Sequence, residues 1–322
     1  MADVIHGLVS AIIPVYNRPQ MLREAVESVL AQTHRPIEVI IADDGSTDGA
    51  GQVADQLAAA HPGTIRAVHG PNRGAGPARE AGRQLARGEF IQYLDSDDLL
   101  LPRKFELQLR ALCDCPECGA AYGYIRLVNA DGTVLGKPYK GSGEAIPRLF
   151  PRLLVERWWN TDCPIYRRSV CDAVGPWTDL RYSQDWEYDA RVGALGTGLA
   201  HVPDYVCVQR QHAGLRQTGH GRWLSPQERV RFFQLMQKHA RQAGVAVGTP
   251  EMEHFSRWAF LNARQCGQRG AAAAAAALFS LACETTLRPS RRLRTIGVLA
   301  RLTGWRVTGT LCSWYDLCLR QA

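Results

Sequence analysis

The sequence predicts an α/β fold followed by an all-helical extension. Three observations carry that prediction. Over the first 95 residues, short apolar runs alternate with segments of helical spacing, the pattern of parallel strands joined by crossover helices. After Pro102 the alternation gives way to a longer, mixed pattern. From residue 225 onward the chain reads as successive helices, punctuated by Pro226, Pro250 and Pro289.

Each element has its own local cause. Residues 8–15, LVSAIIPV, form a buried-strand run. Residues 19–32 place Met21, Leu22, Ala25, Val26, Val29 and Leu30 on one helical face. Residues 37–42, IEVIIA, form a second strand, and Thr47 or Asp48 can cap a helix running to about residue 60. Residues 64–68 make a third strand, 76–87 a helix of small residues, and 89–94 a fourth strand. A helix over 103–112 leads to the strand AAYGYIRLV and a turn at 129–132. Residues 140–185, rich in Trp, Pro and Arg, are irregular. A helix follows over 186–195, then short strands at 199–202 and 205–208. The alanine run 271–277 reads as a good helix former packed between bulkier helices.

The composition excludes several classes. With 46% hydrophobic and 21% charged residues the chain is not disordered, fibrous or a disulfide scaffold. The longest weakly polar run, 271–283, is too short to span a bilayer, and the opening lacks the basic region of a signal peptide. A cytosolic chain is therefore expected, and its ten scattered cysteines read as reduced thiols. The net charge of +7 is concentrated at the end. Residues 288–322 hold seven arginines and one acid, Asp316. A basic tail of this kind suits an anionic surface. As a helix it presents apolar and basic faces that fit a membrane interface, or an ordinary packed helical pair with a solvated basic face. No binding motif accompanies the charge, so nucleic acid is not expected.

Ligands in strand–helix sheets bind beyond the carboxyl ends of the strands. That rule selects the loops Tyr16-Asn17, Asp43-Asp44-Gly45-Ser46 and Asp95-Ser96-Asp97-Asp98. Carboxylates spaced i and i+2 at a strand end can face one pocket, and hard oxygen ligands suit Mg²⁺ or Mn²⁺. Such a triplet also serves as a turn or a helix cap, and Asp98, just before Pro102, fits the capping role.

Taken together and in order, these segments resemble family 2 glycosyltransferases. VSAIIPVYNRPQMLREAVESVLAQTHRPIEVIIADDGSTDG is similar to the family's opening, and PNRGAGPAREAGRQLARGEFIQYLDSDDLLLP to its next segment with the Asp-x-Asp loop. SQDWEYDARVGALG resembles the later segment that usually reads Glu-Asp-Trp, and RQHAGLRQT a late Arg-x-His element. The resemblance covers about residues 7–218. It implies a GT-A fold, a Rossmann-like mixed sheet flanked by helices. The nucleotide-binding half would be about 1–101 and the acceptor half 102–222, with a helical extension over 223–322. It implies inverting transfer from a nucleotide-sugar, usually UDP-linked, to a saccharide or lipid-linked acceptor, with a divalent cation. By position, Pro14, Tyr16, Asn17 and Asp44 line the nucleotide pocket, Asp44 facing the base. Asp95 lies near ribose and metal, Asp97 is the metal ligand, and Asp185 matches the catalytic base. Arg79 stands where the family commonly carries Arg, its alternative being a helix-surface charge. His212 would be a further metal ligand, a diphosphate contact or a structural hydrogen bond. Gln184 departs from the family's usual Glu.

The chemistry suits those roles. Inversion is one in-line displacement, in which a base takes the acceptor hydroxyl's proton as it attacks. Burial beside Trp186 would raise the pKa of Asp185 toward a useful range. Trp158, Trp159 and Trp186 border the expected acceptor pocket, where their faces can stack on sugars or fill the core. Cys113, Cys115 and Cys118 offer three thiols, without a marked fourth ligand for zinc, and read as a turn. Two other functions compete: a nucleotidyltransferase, and a non-catalytic sugar-nucleotide binder or assembly subunit. The first would have no use for Asp185 as a base, and the second would have lost Asp97 or Asp185.

Overall fold

The computed structural model describes residues 4–211, 225–287 and 291–321. The chain divides into two compact units. The first comprises Met1–Leu149 and Arg157–Gln217, the second Phe150–Glu156 and Thr218–Ala322.

The first unit is built on one eight-stranded sheet of order β3-β2-β1-β4-β7-β6-β8-β5. Its first half is β1 (Ile5–Val15), α1 (Pro19–Leu30), β2 (Ile37–Asp43), α2 (Ala50–Ala60), β3 (Ile65–His69), α3 (Ala75–Leu85) and β4 (Gly88–Tyr93). These four strands are all parallel. Residues 8–15 of β1 and the whole of β2 are buried, as expected for strands covered on both faces. Helix α1 opens on Pro19 and buries Leu22, Ala25, Val26 and Val29, the stripe its periodicity predicts. Helix α2 starts later than expected, at Ala50, whose N–H donates to the Asp48 carboxylate at 3.1 Å.

The second half adds β5 (Leu99–Leu100), α4 (Lys104–Asp114), β6 (Cys118–Val128), β7 (Ile165–Arg167), α5 (Arg168–Val174), α6 (Gln184–Ala194) and β8 (Gly198–Arg210). Here the sheet becomes mixed: β7 runs antiparallel to both β4 and β6, while β6 and β8 are parallel. The two short strands expected near 200 are one strand, β8, with a register irregularity opposite Gly123 and Tyr124. The segment expected to be irregular contains β7 and α5. Three strand residues carry too little periodicity to be seen locally, and their pairing with Phe90, Ile91 and Gln92 fixes them. The turn before β6 also differs from expectation, because Cys115 and Cys118 form a disulfide. That turn brings their Cα atoms to 5.3 Å, inside the range a disulfide spans.

The second unit holds a short 3₁₀ turn (Arg152–Leu154), α7 (Pro226–Gln242), α8 (Pro250–Gln268), α9 (Ala272–Glu284) and α10 (Arg291–Gln321). Ser225 and Thr249 cap α7 and α8, each accepting from the N–H three residues on. The alanine run lies in α9, with Ala275, Leu278, Leu281 and Ala282 buried. Helix α10 departs from helical geometry at Gly304, whose φ of 79° favours glycine. Among the described residues no helix is long and apolar enough to cross a membrane.

Candidate active site

The carboxyl ends of β1, β2 and β4 bring the three sequence-selected loops together. Asn17 ties the first two. Its N–H donates to Ser46 Oγ at 3.0 Å, and its side-chain oxygen accepts from the Thr47 N–H at 2.7 Å. Asn17 sits at φ 52°, a conformation Asn tolerates better than most residues. Pro14 is buried near the end of β1, and Tyr16, the first residue beyond the strand, is 42% exposed.

Both neighbouring carboxylates at the end of β2 are buried and occupied. Asp43 accepts from the Ser46 N–H and lies 3.1 Å from His69 Nδ1. Asp44 accepts from the N–H groups of Arg73 at 2.7 Å and Gly74 at 2.8 Å. Asp44 therefore anchors the loop that opens α3. Two residues on, a Cβ on Gly76 would meet the Thr178 carbonyl oxygen at 2.2 Å, so the start of α3 lies directly against the 175–183 segment.

Arg79 is not a surface charge. It is 3% exposed, its guanidinium lies 4.8 Å over the Trp177 ring, and it pairs with Asp95. Trp177 in turn stacks on Tyr188 at 4.1 Å and meets Tyr93 edge-on at 4.9 Å. Arg79 Nε and Nη1 are buried without a hydrogen-bond partner. Such orphaned donors are costly, and they mark a place where an acceptor belongs.

Asp95, Asp97 and Asp98 present oxygens within 4.8 Å of one another. Three hard oxygen donors suit Mg²⁺ or Mn²⁺, so these residues fit the cation implied by the sequence. Asp97 is held by Arg18 at 2.5 Å. Asp98 does not cap the following helix, which begins at Lys104. It is buried, accepts from the Arg210 N–H at 2.8 Å, and faces Asp162. Burial pushes both Asp98 and Asp162 above the usual carboxylate range, and neighbouring charge adds to it, from Asp97 and Asp95 at Asp98 and from Asp98 and Asp95 at Asp162. Asp162 also accepts from the Asp95 N–H at 2.6 Å, and Arg210 Nε donates to the Asp97 carbonyl at 2.6 Å. The acidic loop is thus fixed from β8 and from the 160–163 segment.

Asp185 lies in the first turn of α6, where its Oδ1 accepts from the Trp186 N–H. Its Oδ2 accepts from Arg157 Nη1 at 2.8 Å. One turn later Asp189 is 1% exposed and accepts from Arg157 Nε at 2.6 Å, Trp159 Nε1 at 2.8 Å and Tyr166 OH at 3.0 Å. Arg157 therefore bridges two carboxylates on one helix face. This overturns the expected rise in the pKa of Asp185. Burial alone would raise it, but the charges of Arg157 and Arg79 and the Trp186 N–H outweigh burial and hold it below the usual range.

The tryptophans separate. Trp158 and Trp159 are 1% and 0% exposed, so the expectation that they stack on an acceptor is not met. Both pack with Tyr122 in the core. Trp186 alone of the three is partly exposed. His212 lies outside the described residues. Four residues that sequence reasoning passed over hold the site together: Arg18, Arg157, Asp162 and Asp189. Only Asp189 had a signal, its i, i+4 spacing from Asp185 on a helix.

Known proteins resemble this chain in sequence and in fold. The family model described as "Glycosyl transferase family 2" matches residues 10–171. The glycosyltransferase GlyG of Streptococcus pneumoniae is 39% identical over 217 residues, which are 64% of this chain and 72% of that protein. Against three other curated relatives, uncharacterized glycosyltransferases from Rickettsia felis, Nostoc and Rickettsia bellii, the chain spans only 24%, 30% and 19% of their length. Among solved structures, residues 1–349 of TarS from S. aureus superpose with a TM-score of 0.67 at 17% identity, covering 96% of this chain and 91% of that one. The same TarS fragment has been solved with UDP-GlcNAc. The mannosyltransferase PcManGT from Pyrobaculum calidifontis, in complex with GDP-Man and Mn²⁺, superposes at 0.53 with 20% identity, covering 96% of this chain and 87% of that one. The fold is of the GT-A type.

Proposed function

The chain belongs to glycosyl transferase family 2, and from that premise we propose that it moves a sugar, with inversion, from a UDP-linked donor to an acceptor hydroxyl of a polysaccharide, glycolipid or glycoconjugate. One observation carries the proposal. Arg79 pairs with Asp95 of the acidic loop, its charge reaches Asp185, and two of its nitrogens are buried without an acceptor. A nucleoside diphosphate is the anionic group that such a guanidinium, set between a cation-binding loop and a carboxylate base, would accept.

Residues 1–101 would bind the nucleotide and 102–222 the acceptor. Asp95 and Asp97 would hold Mg²⁺ or Mn²⁺, which supplies Lewis-acid stabilisation of the departing diphosphate. Asp44 and Asn17 shape the floor of the nucleotide pocket by joining the β1, β2 and α3 loops, and Tyr16 offers an exposed ring beside them. Asp185 receives the acceptor's proton as the new glycosidic bond forms and the bond to the diphosphate breaks. Arg157 keeps Asp185 ionised and oriented, so the base is ready at neutral pH without a raised pKa. Trp186 is the aromatic face left for the acceptor.

The test is a thermal-shift titration with UDP, UDP-sugars and GDP-mannose, with and without Mn²⁺, followed by a transfer assay. Metal-dependent stabilisation by a UDP-sugar, lost in Asp97→Asn, is expected. Asp185→Asn is expected to bind donor but not transfer. Near-normal turnover by Asp185→Asn would reject the base.

A further inference from the structure

The outer side of α10 combines two properties that ordinary solvated faces keep apart. Residues 291, 294, 298, 301 and 302 recur at helical spacing and are all exposed. Leu302 is 79% exposed and Val298 56%, with Arg291, Arg294 and Arg301 alongside. Beyond the break at Gly304 the same mixture continues, with Arg306, Val307 and Leu311 exposed. The opposite side is an ordinary packed face, since Leu293, Ile296, Ala300, Thr308 and Cys312 are buried. The tail is therefore a packed helix whose exposed side is both basic and apolar.

A groove of about 520 Å³ runs beside this face between α9 and α10. Ala276, Phe279, Cys283, Ala300 and Trp305 line it, and Arg301 joins the lining. An apolar slot next to a guanidinium matches a molecule with an acyl chain below an anionic headgroup. The charge balance points the same way. Residues 288–322 carry +6 of the chain's +7, and no acid occurs between Arg288 and Tyr315.

We propose that the outer face of α10, with the α9–α10 groove, docks the second unit on an anionic phospholipid bilayer, arginines at the headgroups and Val298, Leu302, Val307 and Leu311 below them. Interfacial helices bind by buried apolar area together with attraction to anionic lipid. A second copy of the chain is disfavoured as occupant, because a two-fold contact would set a face bearing several arginines and no acid against itself. The surface belongs to the second unit and does not depend on the transfer chemistry proposed above.

Vesicle flotation tests it, using phosphatidylcholine alone and phosphatidylcholine with phosphatidylglycerol, at low and high salt. The protein is expected to float with the anionic vesicles and to be released by salt. Each arginine near an anionic surface contributes about fivefold in partition. Arg301→Gln combined with Arg306→Gln is therefore expected to weaken binding about 25-fold, and Val298→Ser with Leu302→Ser to abolish it. All four residues are exposed, so the melting temperature and UDP titration of each variant should match the parent and exclude misfolding. Equal binding to neutral vesicles, or no loss in either variant, would overturn the proposal. So would self-association in sedimentation velocity that Leu302→Ser removes, with no vesicle binding, because that would give the face to a second copy.

Discussion

Arg157→Met asks whether one guanidinium supports both the fold and the base proposed at Asp185. The residue is 9% exposed and donates to Asp185 at 2.8 Å and to Asp189 at 2.6 Å. Removing it leaves Asp189 buried with only the Trp159 and Tyr166 donors. Breaking a buried pair from one side costs about 3–5 kcal/mol. For a unit of roughly 200 residues that is a fall in Tm of roughly 6–20 °C. The loss should grow with pH. Burial already raises the Asp189 pKa despite Arg157, and without the guanidinium it rises further. A carboxyl whose folded pKa exceeds its unfolded value keeps its stabilisation below the unfolded value and loses it as pH rises through the folded one. Urea denaturation at acidic and at mildly alkaline pH therefore separates the two protonation states. A second readout is the acid limb of the transfer rate, which should move to higher pH because Arg157 is the main charge holding Asp185 down. A stability change under about 1 kcal/mol, typical of an exposed pair, together with an unmoved acid limb would refute the assignment.

Three further outcomes are expected. Arg79→Met should weaken UDP-sugar binding tenfold or more, as about 1.5–3 kcal/mol per charged hydrogen bond implies, and should also lower the Tm of the free protein, because the buried guanidinium pairs with Asp95 and lies over Trp177; isothermal titration and melting curves read both. Gly76→Ala should destabilise by about 1–3 kcal/mol, as overpacking does, because the new Cβ meets the Thr178 oxygen at 2.2 Å; an unchanged Tm would mean that the 175–183 segment yields freely. His69, bonded to Asp55 and Asp43, is held above its ordinary 6.5. Its stabilisation is complete below that value and fades as pH rises through the raised one, so the Tm advantage over His69→Gln should shrink above pH 6.5.

The strand–helix rhythm of residues 5–94 was legible because each element repeats its apolar residues at its own period. The loops at the strand ends were legible because a ligand rule acts on topology, and topology followed from the alternation. The resemblance added the order of the motifs and, through it, Asp95, Asp97 and Asp185 as candidates. Local pattern failed where an element is short and owes its existence to a neighbour, as β5 and β7 do. It also failed at Trp158 and Trp159, because an aromatic pair reads the same whether it lines a pocket or fills a core.

What the sequence determined by itself is therefore the class of fold, the parallel half of the sheet, the acidic loops and the basic tail. Each is a local property, carried by periodicity, turn chemistry or charge count over a few residues. Tertiary structure alone decided the environment of each carboxylate. Arg157 reaches Asp185 across 28 positions, Asp162 reaches the Asp95 N–H across 67, and Arg210 reaches the Asp97 carbonyl across 113. How tightly an aspartate holds its proton depends on burial and on the nearest charge. Both are set by which distant segments fold against it.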